Sequence, residues 1–336
     1  MIFNLKKMIL FLVTTVILSF FAVAAPKFSV LCTTFPEYDW ILNILGEKQS
    51  DFDVYLLQNN GTDLHSYQPS VKDAAKISVC DLFVFVGGES DFWAEKVLKN
   101  SKNKDMIVVN LVKSLGEKIK KVSADDFQFQ KNNDFTTENL QNLHLHHRLH
   151  NHSNFNQNDY IEYDEHIWLS LKNAAFFVDL LCKNLEKIDY KNSNIYRKNS
   201  NDYINKISAL DAQFEQTVKN AKRNTVLFAD RFPFRYLFDD YGLVYFAAFA
   251  GCSAESEASF ETVAFLANMI NKFNLPVVLT LENSDKKLAK TVISASKNTD
   301  LQILSMNSLQ SITKNDSQNY LTAMQNNLEV LKKALN

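Results

Sequence analysis

The sequence predicts an α/β protein built from two parallel-sheet lobes of similar topology, joined by a single long backbone helix, with its binding site in the cleft between them. Three observations predict it. Apolar, β-rich runs bounded by polar turns alternate with helical patterns in two separate stretches of the 336-residue chain. One uninterrupted amphipathic stretch lies between them. The composition, 46% hydrophobic and 22% charged, is that of an ordinary globular chain, and the length suits about two domains.

The N-terminus is read first. Lys6 and Lys7 precede an uncharged apolar run at 8–23, which is short for a membrane-spanning helix, and Ala22-Val23-Ala24 offers a small-residue cleavage site. Residues 1–24 therefore read as a signal peptide. The mature protein is expected to be exported and soluble, in the periplasm or on the outer face of the cytoplasmic membrane; a retained N-terminal anchor is the alternative. Cys32, Cys80, Cys182 and Cys252 are far apart and form no C-x-x-C, so they are expected to be buried thiols.

The first lobe spans 25–190. Strands are expected at 28–34, 53–57, 82–86 and 106–110, and helices at 38–45, 71–77 and 92–98. Residues 112–163 turn polar and rich in Asn and His, too long for an ordinary connection, and read as a mobile insertion carrying a His-rich loop at 131–160. Helical periodicity resumes at 168–185. The linker, 191–222, holds Tyr196, Tyr203, Ile207, Leu210, Phe214 and Val218 at helical spacings without Gly or Pro. At 1.5 Å per residue its helical stretch 195–221 reaches about 40 Å, enough to join two lobes rigidly. The second lobe, 223–336, repeats the first in kind, with strands at 225–228, 243–247, 277–281 and 301–304. Pro233 is expected in the first turn of a helix ending at Tyr241. Further helices are expected at 262–272 and 285–296, and Leu321, Met324, Leu328, Leu331 and Leu335 form a closing apolar stripe.

The histidines carry the chemistry. Of the seven, five (His144, His146, His147, His150 and His152) fall in one nine-residue window. Neutral imidazole is a donor suited to zinc, copper or nickel, and several on one tether can capture an ion without a preformed cage. A solvated, functionless loop is the plainer reading. His65 follows the strand DVYLL, and His166 stands just before a helix. In open α/β sheets ligands bind outside the carboxyl ends of strands, so both are candidate metal ligands. Glu282, at the end of VVLTLE, can supply a carboxylate from the second lobe. Asp230 ends another strand there; its plainer role is to cap the following helix. Arg231 beside it stays protonated and cannot ligate a metal. Glu255 and Glu257 read as loop or helix-start residues outside the site.

Several motifs together bring in a family. TTFPEYDWILNILG resembles the opening strand and helix of the zinc-type metal-binding receptors of ABC importers, whose two lobes are joined by one rigid helix. GTDLHSYQPS resembles their G-x-D-P-H-x-Y-x-P segment, with Leu64 in place of Pro and His65 as first ligand; DEHIWLS resembles D-P-H-x-W-L-x, with Glu165 in place of Pro and His166 as second. The resemblance covers about 28–335. Two departures bear on the ligand set. Arg231 stands where many members have a third His, which leaves Asp230 or a water to complete the shell. Met306 and Asn307 stand where many have a final acidic ligand, which directs attention to Glu282.

The expected site is therefore His65, His166, Glu282 and Asp230 around one divalent cation, a donor set adequate for zinc, with manganese less favoured. The resemblance implies a monomeric receptor, not an enzyme, that delivers its ion to an ABC-type membrane permease. The formal net charge of −2 gives no reason to expect nucleic acid as a partner. A zinc-dependent hydrolase, or a metal buffer or adhesin without transport, are the rival readings. The chain contains neither H-E-x-x-H nor G-x-S-x-G.

Overall fold

Each lobe is a four-stranded, all-parallel sheet whose strands are short apolar runs. The computed structural model describes residues 26–59, 61, 64–121, 163–251, 258–313, 316 and 318–336. The expected signal peptide and the His-rich loop, with His144, His146, His147, His150 and His152, lie outside these residues, as do Cys252, Glu255 and Glu257.

In the first lobe β1 (Phe28–Cys32), β2 (Phe52–Leu56), β3 (Leu82–Phe85) and β4 (Ile107–Asn110) pair in the order β2-β1-β3-β4. In the second, β5 (Thr225–Phe232), β6 (Val244–Ala250), β7 (Val277–Leu281) and β8 (Gln302–Met306) repeat that order as β6-β5-β7-β8. Every pairing is parallel. Parallel order requires crossovers, which α1 (Phe35–Leu45), α2 (Val71–Ile77) and α3 (Phe92–Lys99) supply in the first lobe. In the second they are α7 (Arg235–Tyr241), α8 (Phe260–Phe273) and α9 (Lys287–Ala295), numbered after α4 (Leu111–Leu115), α5 (Leu171–Ile188) and α6 (Ser193–Lys219). The chain closes with α10 (Tyr320–Ala334). Among the described residues no helix is long and apolar enough to cross a membrane.

The long helix α6 runs 27 residues. Tyr196, Tyr203, Ile207, Leu210 and Phe214 are its buried stripe, and they enter one hydrophobic core that contains residues of both sheets, such as Val30 and Val84 with Phe228 and Leu279. A shared core resists relative movement of the lobes, because burying apolar area stabilises by roughly 25 cal/mol per Å². The closing helix α10 reinforces it: Tyr320 packs edge-on against Trp40 of α1 with ring centroids 5.3 Å apart. Arg197 adds a polar tie between α5 and α6, bonding both carboxylate oxygens of Glu186, at 2.9 and 2.7 Å, and Asp179 at 2.6 Å. Those groups are partly exposed, so solvent screening keeps this tie modest.

Several boundaries differ from expectation for local reasons. The first helix begins at Phe35 rather than 38, because Thr34 is its N-cap, Pro36 lies in its first turn, and the Glu37 carboxylate accepts the Thr34 N–H at 3.1 Å. After β4, Leu111–Leu115 forms a short helix, with Asn110 accepting the Lys113 N–H at 2.8 Å, and Lys121 bridges to Tyr163. Strand β5 continues past Phe228 to Phe232. Pro233 therefore precedes α7 instead of opening it, and Asp230 lies within the strand instead of capping the helix.

Candidate metal site

Of the sequence-predicted site residues, His65 follows β2, His166 precedes α5, Asp230 lies within β5 and Glu282 follows β7. After β2, a single 3-10 turn, Leu64–Ser66, carries His65; fully buried Leu64 anchors the turn in the core and leaves the adjacent imidazole partly exposed. After the insertion, His166 precedes another 3-10 turn, Ile167–Leu169, whose three side chains are buried. The two rings meet edge to face with centroids 5.5 Å apart. His166 is fully buried, whereas His65 is 21% exposed.

Each imidazole is held through Nδ1. His166 Nδ1 donates to Asp164 Oδ1 at 2.8 Å, and the same oxygen accepts the His166 backbone N–H at 2.9 Å. A proton fixed on Nδ1 places the lone pair on Nε2. Burial alone would push the Asp164 carboxyl up, but the charge and hydrogen bonds of His166 hold it below the ordinary carboxylate range. His65 Nδ1 is hydrogen-bonded to Ser90 Oγ at 2.7 Å and stands 3.8 Å from Glu165 Oε2. Burial raises the Glu165 carboxyl above its usual range, against the opposing effect of Ser90.

The second lobe contributes carboxylates. Glu282 follows β7 directly; its Oε2 accepts the Ser308 N–H at 2.9 Å and its Oε1 the Ser308 hydroxyl at 2.7 Å. Asp230 sits where the pairing of β5 with β6 shifts register between Phe228 and Arg231, an irregularity of the kind that re-aims a side chain. Its oxygens accept the Leu281 N–H at 3.1 Å and the Arg231 N–H at 2.9 Å. Burial, with a smaller addition from Asp230, pushes the Glu282 carboxyl up, so the two acids sense each other.

Trp168 links the two sets. Its ring centroid is 5.5 Å from that of His166, and its indole N–H donates to Ser308 O at 2.9 Å, on the residue that holds Glu282. Gly251, at the end of β6, also approaches His166: a Cβ there would lie 3.2 Å from His166 Cε1 and 2.8 Å from Phe232 O. The structure thus pairs His65 with His166 and Asp230 with Glu282. Among the described residues no group of three or more His, Cys, Asp or Glu side chains is arranged to hold a metal ion. The residues that sequence reasoning missed are Ser90, Asp164, Ser308 and Gly251. Only Asp164, two positions before His166, had a local signal.

Next to Ser90 in the chain stands Asp91, 2% exposed, whose Oδ2 accepts the Gly87 N–H at 3.0 Å. Burial, then the nearby Glu165 charge, push its pKa to about 7, against hydrogen bonds from Gly87 and Val86 that lower it. A folded-state pKa above the unfolded value favours the fold at low pH. This contribution is complete below the ordinary Asp value near 3.9 and is lost as pH rises through about 7. Asp91→Asn is expected to flatten that decline, which urea unfolding at pH 5 and pH 8 would measure.

Comparison with known proteins places these features in a group. The profile of the family described as "ZnuA: Zinc-uptake complex component A periplasmic" matches residues 30–334. The zinc-binding protein AdcA of Streptococcus pyogenes serotype M1 is 27% identical over 316 residues, 92% of this chain and 56% of that protein. The chain thus spans about half the length of such relatives. The high-affinity zinc uptake system protein ZnuA of Bacillus subtilis (strain 168) is 26% identical over 313 residues, 92% of this chain and 88% of that one. Two solved structures share the fold. Zn(II)-bound AdcA from Streptococcus pneumoniae gives a TM-score of 0.67 at 26% identity, covering 92% of this chain and 58% of that one. The metal-dependent lipoprotein YcdH from Bacillus subtilis gives 0.68 at 26% identity, covering 92% and 99%.

Proposed function

The chain belongs to the family of the periplasmic component A of the zinc-uptake complex, and from that premise we propose that it is an extracytoplasmic receptor that captures zinc and delivers it to an ABC-type membrane permease. The observation that carries this reading is the pair of imidazoles in ring contact, each held at Nδ1, with His166 packed on the Trp168 indole that bonds Ser308, the residue holding the half-buried Glu282. Ligating histidines are generally oriented through the ring nitrogen that does not bind the metal. Nitrogen donors favour zinc over manganese, and carboxylate oxygen completes a four-coordinate shell.

In this reading His65 and His166 take the ion through Nε2, Glu282 supplies an oxygen, and Asp230 completes the shell where Arg231 has displaced an imidazole. Their present hydrogen bonds do not exhaust the carboxylates, since each oxygen has two lone pairs. Zinc entry draws Glu282 toward the imidazoles, a movement of side chains and loops more than of lobes, because α6 and the shared core resist a wide hinge. The histidine-rich segment 144–152 gathers ions and passes them to this site. The relatives are named as zinc-binding and zinc-uptake proteins, and nothing in those names points to catalysis.

Reconstituted uptake tests the delivery step. Proteoliposomes carrying the cognate permease are expected to accumulate zinc on ATP hydrolysis only when this chain is added, and the variant lacking His65 and His166 should not support it. Uptake that is indifferent to the chain would leave a metal buffer as the better description.

A further inference from the structure

The stretch Asp164-Glu165-His166 carries a carboxylate where the family resemblance expects Pro, and the fold has a seat for it. Glu165 is 2% exposed, and its Oε1 accepts the Ser90 backbone N–H at 2.9 Å. Gly88, at φ 81°, leaves the space: a Cβ there would collide with Oε1 and stand 2.7 Å from Glu165 Cγ. The other oxygen, Oε2, is buried, accepts no hydrogen bond from the described residues, and lies 3.8 Å from His65 Nδ1. The same Ser90 that grips Oε1 with its N–H places its hydroxyl 2.7 Å from His65 Nδ1.

His166 has an acid directly behind its Nδ1 at 2.8 Å, and His65 has a serine hydroxyl there at 2.7 Å with an acid 3.8 Å away. We infer that Glu165 is the positioning residue of His65: its carboxylate, seated by Gly88 and Ser90 and 3.8 Å from Nδ1, favours through its charge a proton on Nδ1, which Ser90 Oγ accepts, and so turns Nε2 toward the incoming cation. A buried carboxylate is costly unless something compensates it, and an arriving divalent ion does so. This inference rests on the reading that His65 binds zinc, and its test separates the two.

Full-length wild type, His65→Ala, Glu165→Gln and Gly88→Ala would be compared for zinc affinity by chelator competition. Nitrogen NMR of the metal-free proteins would report the His65 tautomer, and cobalt(II) absorption the geometry at the site. Glu165→Gln is expected to weaken zinc about 10- to 100-fold, the usual effect of losing such a partner. The proton on His65 should shift toward Nε2, with the metal-free melting temperature kept or raised. Gly88→Ala, which unseats the carboxylate without removing it, should move affinity and tautomer the same way. Wild-type affinity in Glu165→Gln, or a loss of affinity with the His65 tautomer unmoved, overturns the inference while leaving the receptor reading standing, provided His65→Ala abolishes binding. A wild-type chain that binds no zinc overturns both.

Discussion

His65→Ala is expected to weaken zinc binding by more than about 100-fold, since loss of an outer partner alone costs 10- to 100-fold and this change removes a donor. Its side chain is 21% exposed and its Nδ1 meets a single hydroxyl, Ser90 Oγ, at 2.7 Å, so the metal-free fold should lose less than it does at buried His166. His166→Ala should abolish binding as completely but for a mixed reason. His166 is fully buried, and its loss takes the imidazole N–H from the Asp164 carboxylate, itself only 5% exposed, while the backbone N–H still reaches it. A hydrogen bond to a charged group contributes about 1.5–3 kcal/mol. Titration calorimetry with zinc, read beside thermal unfolding of the metal-free proteins, separates the donor's contribution from the damage to the fold. Equal zinc affinity in wild type and His65→Ala would remove His65 from the site.

The second large effect is on stability. Trp168 is 1% exposed; its indole N–H donates to Ser308 O, and its own carbonyl accepts the Tyr320 hydroxyl at 2.7 Å. One residue therefore ties the histidine-bearing turn to the loop that holds Glu282 and to the closing helix. Trp168→Ala is expected to cost about 3–5 kcal/mol in urea unfolding, the range for a large buried aromatic. Trp168→Phe, which keeps most of the packing and loses the donor, should cost about 1–3 kcal/mol for the stranded Ser308 carbonyl. Because Ser308 grips both oxygens of Glu282, the Phe variant should also weaken zinc while the fold survives. A Phe variant with wild-type stability would show that the Trp168–Ser308 bond does not couple the lobes.

What was legible in the sequence follows from which forces act locally. The strands of both sheets were readable because buried parallel strands are continuous apolar runs, and the long helix because its stripe recurs at helical spacing over 27 residues. Leu111–Leu115 was not, since five residues make no period. The extension of β5 through Asp230 and Arg231 was also hidden: two charged residues look like a strand end, and only pairing with Phe249 and Ala250 of β6 carries the strand onward. His65 and His166 could be found by residue type and motif. Ser90, Ser308 and Gly251 could not, because their roles exist only once separate loops converge at the carboxyl ends of the strands.

The account turns on a single zinc ion shared between the lobes, and a crystal structure of the zinc-loaded chain, with anomalous data on both sides of the zinc edge, tests it most directly. One strong peak is predicted at about 2.0–2.2 Å from Nε2 of His65, Nε2 of His166 and a carboxylate oxygen of Glu282. A peak that engages neither histidine, or engages both without any acid from the second lobe, would contradict it.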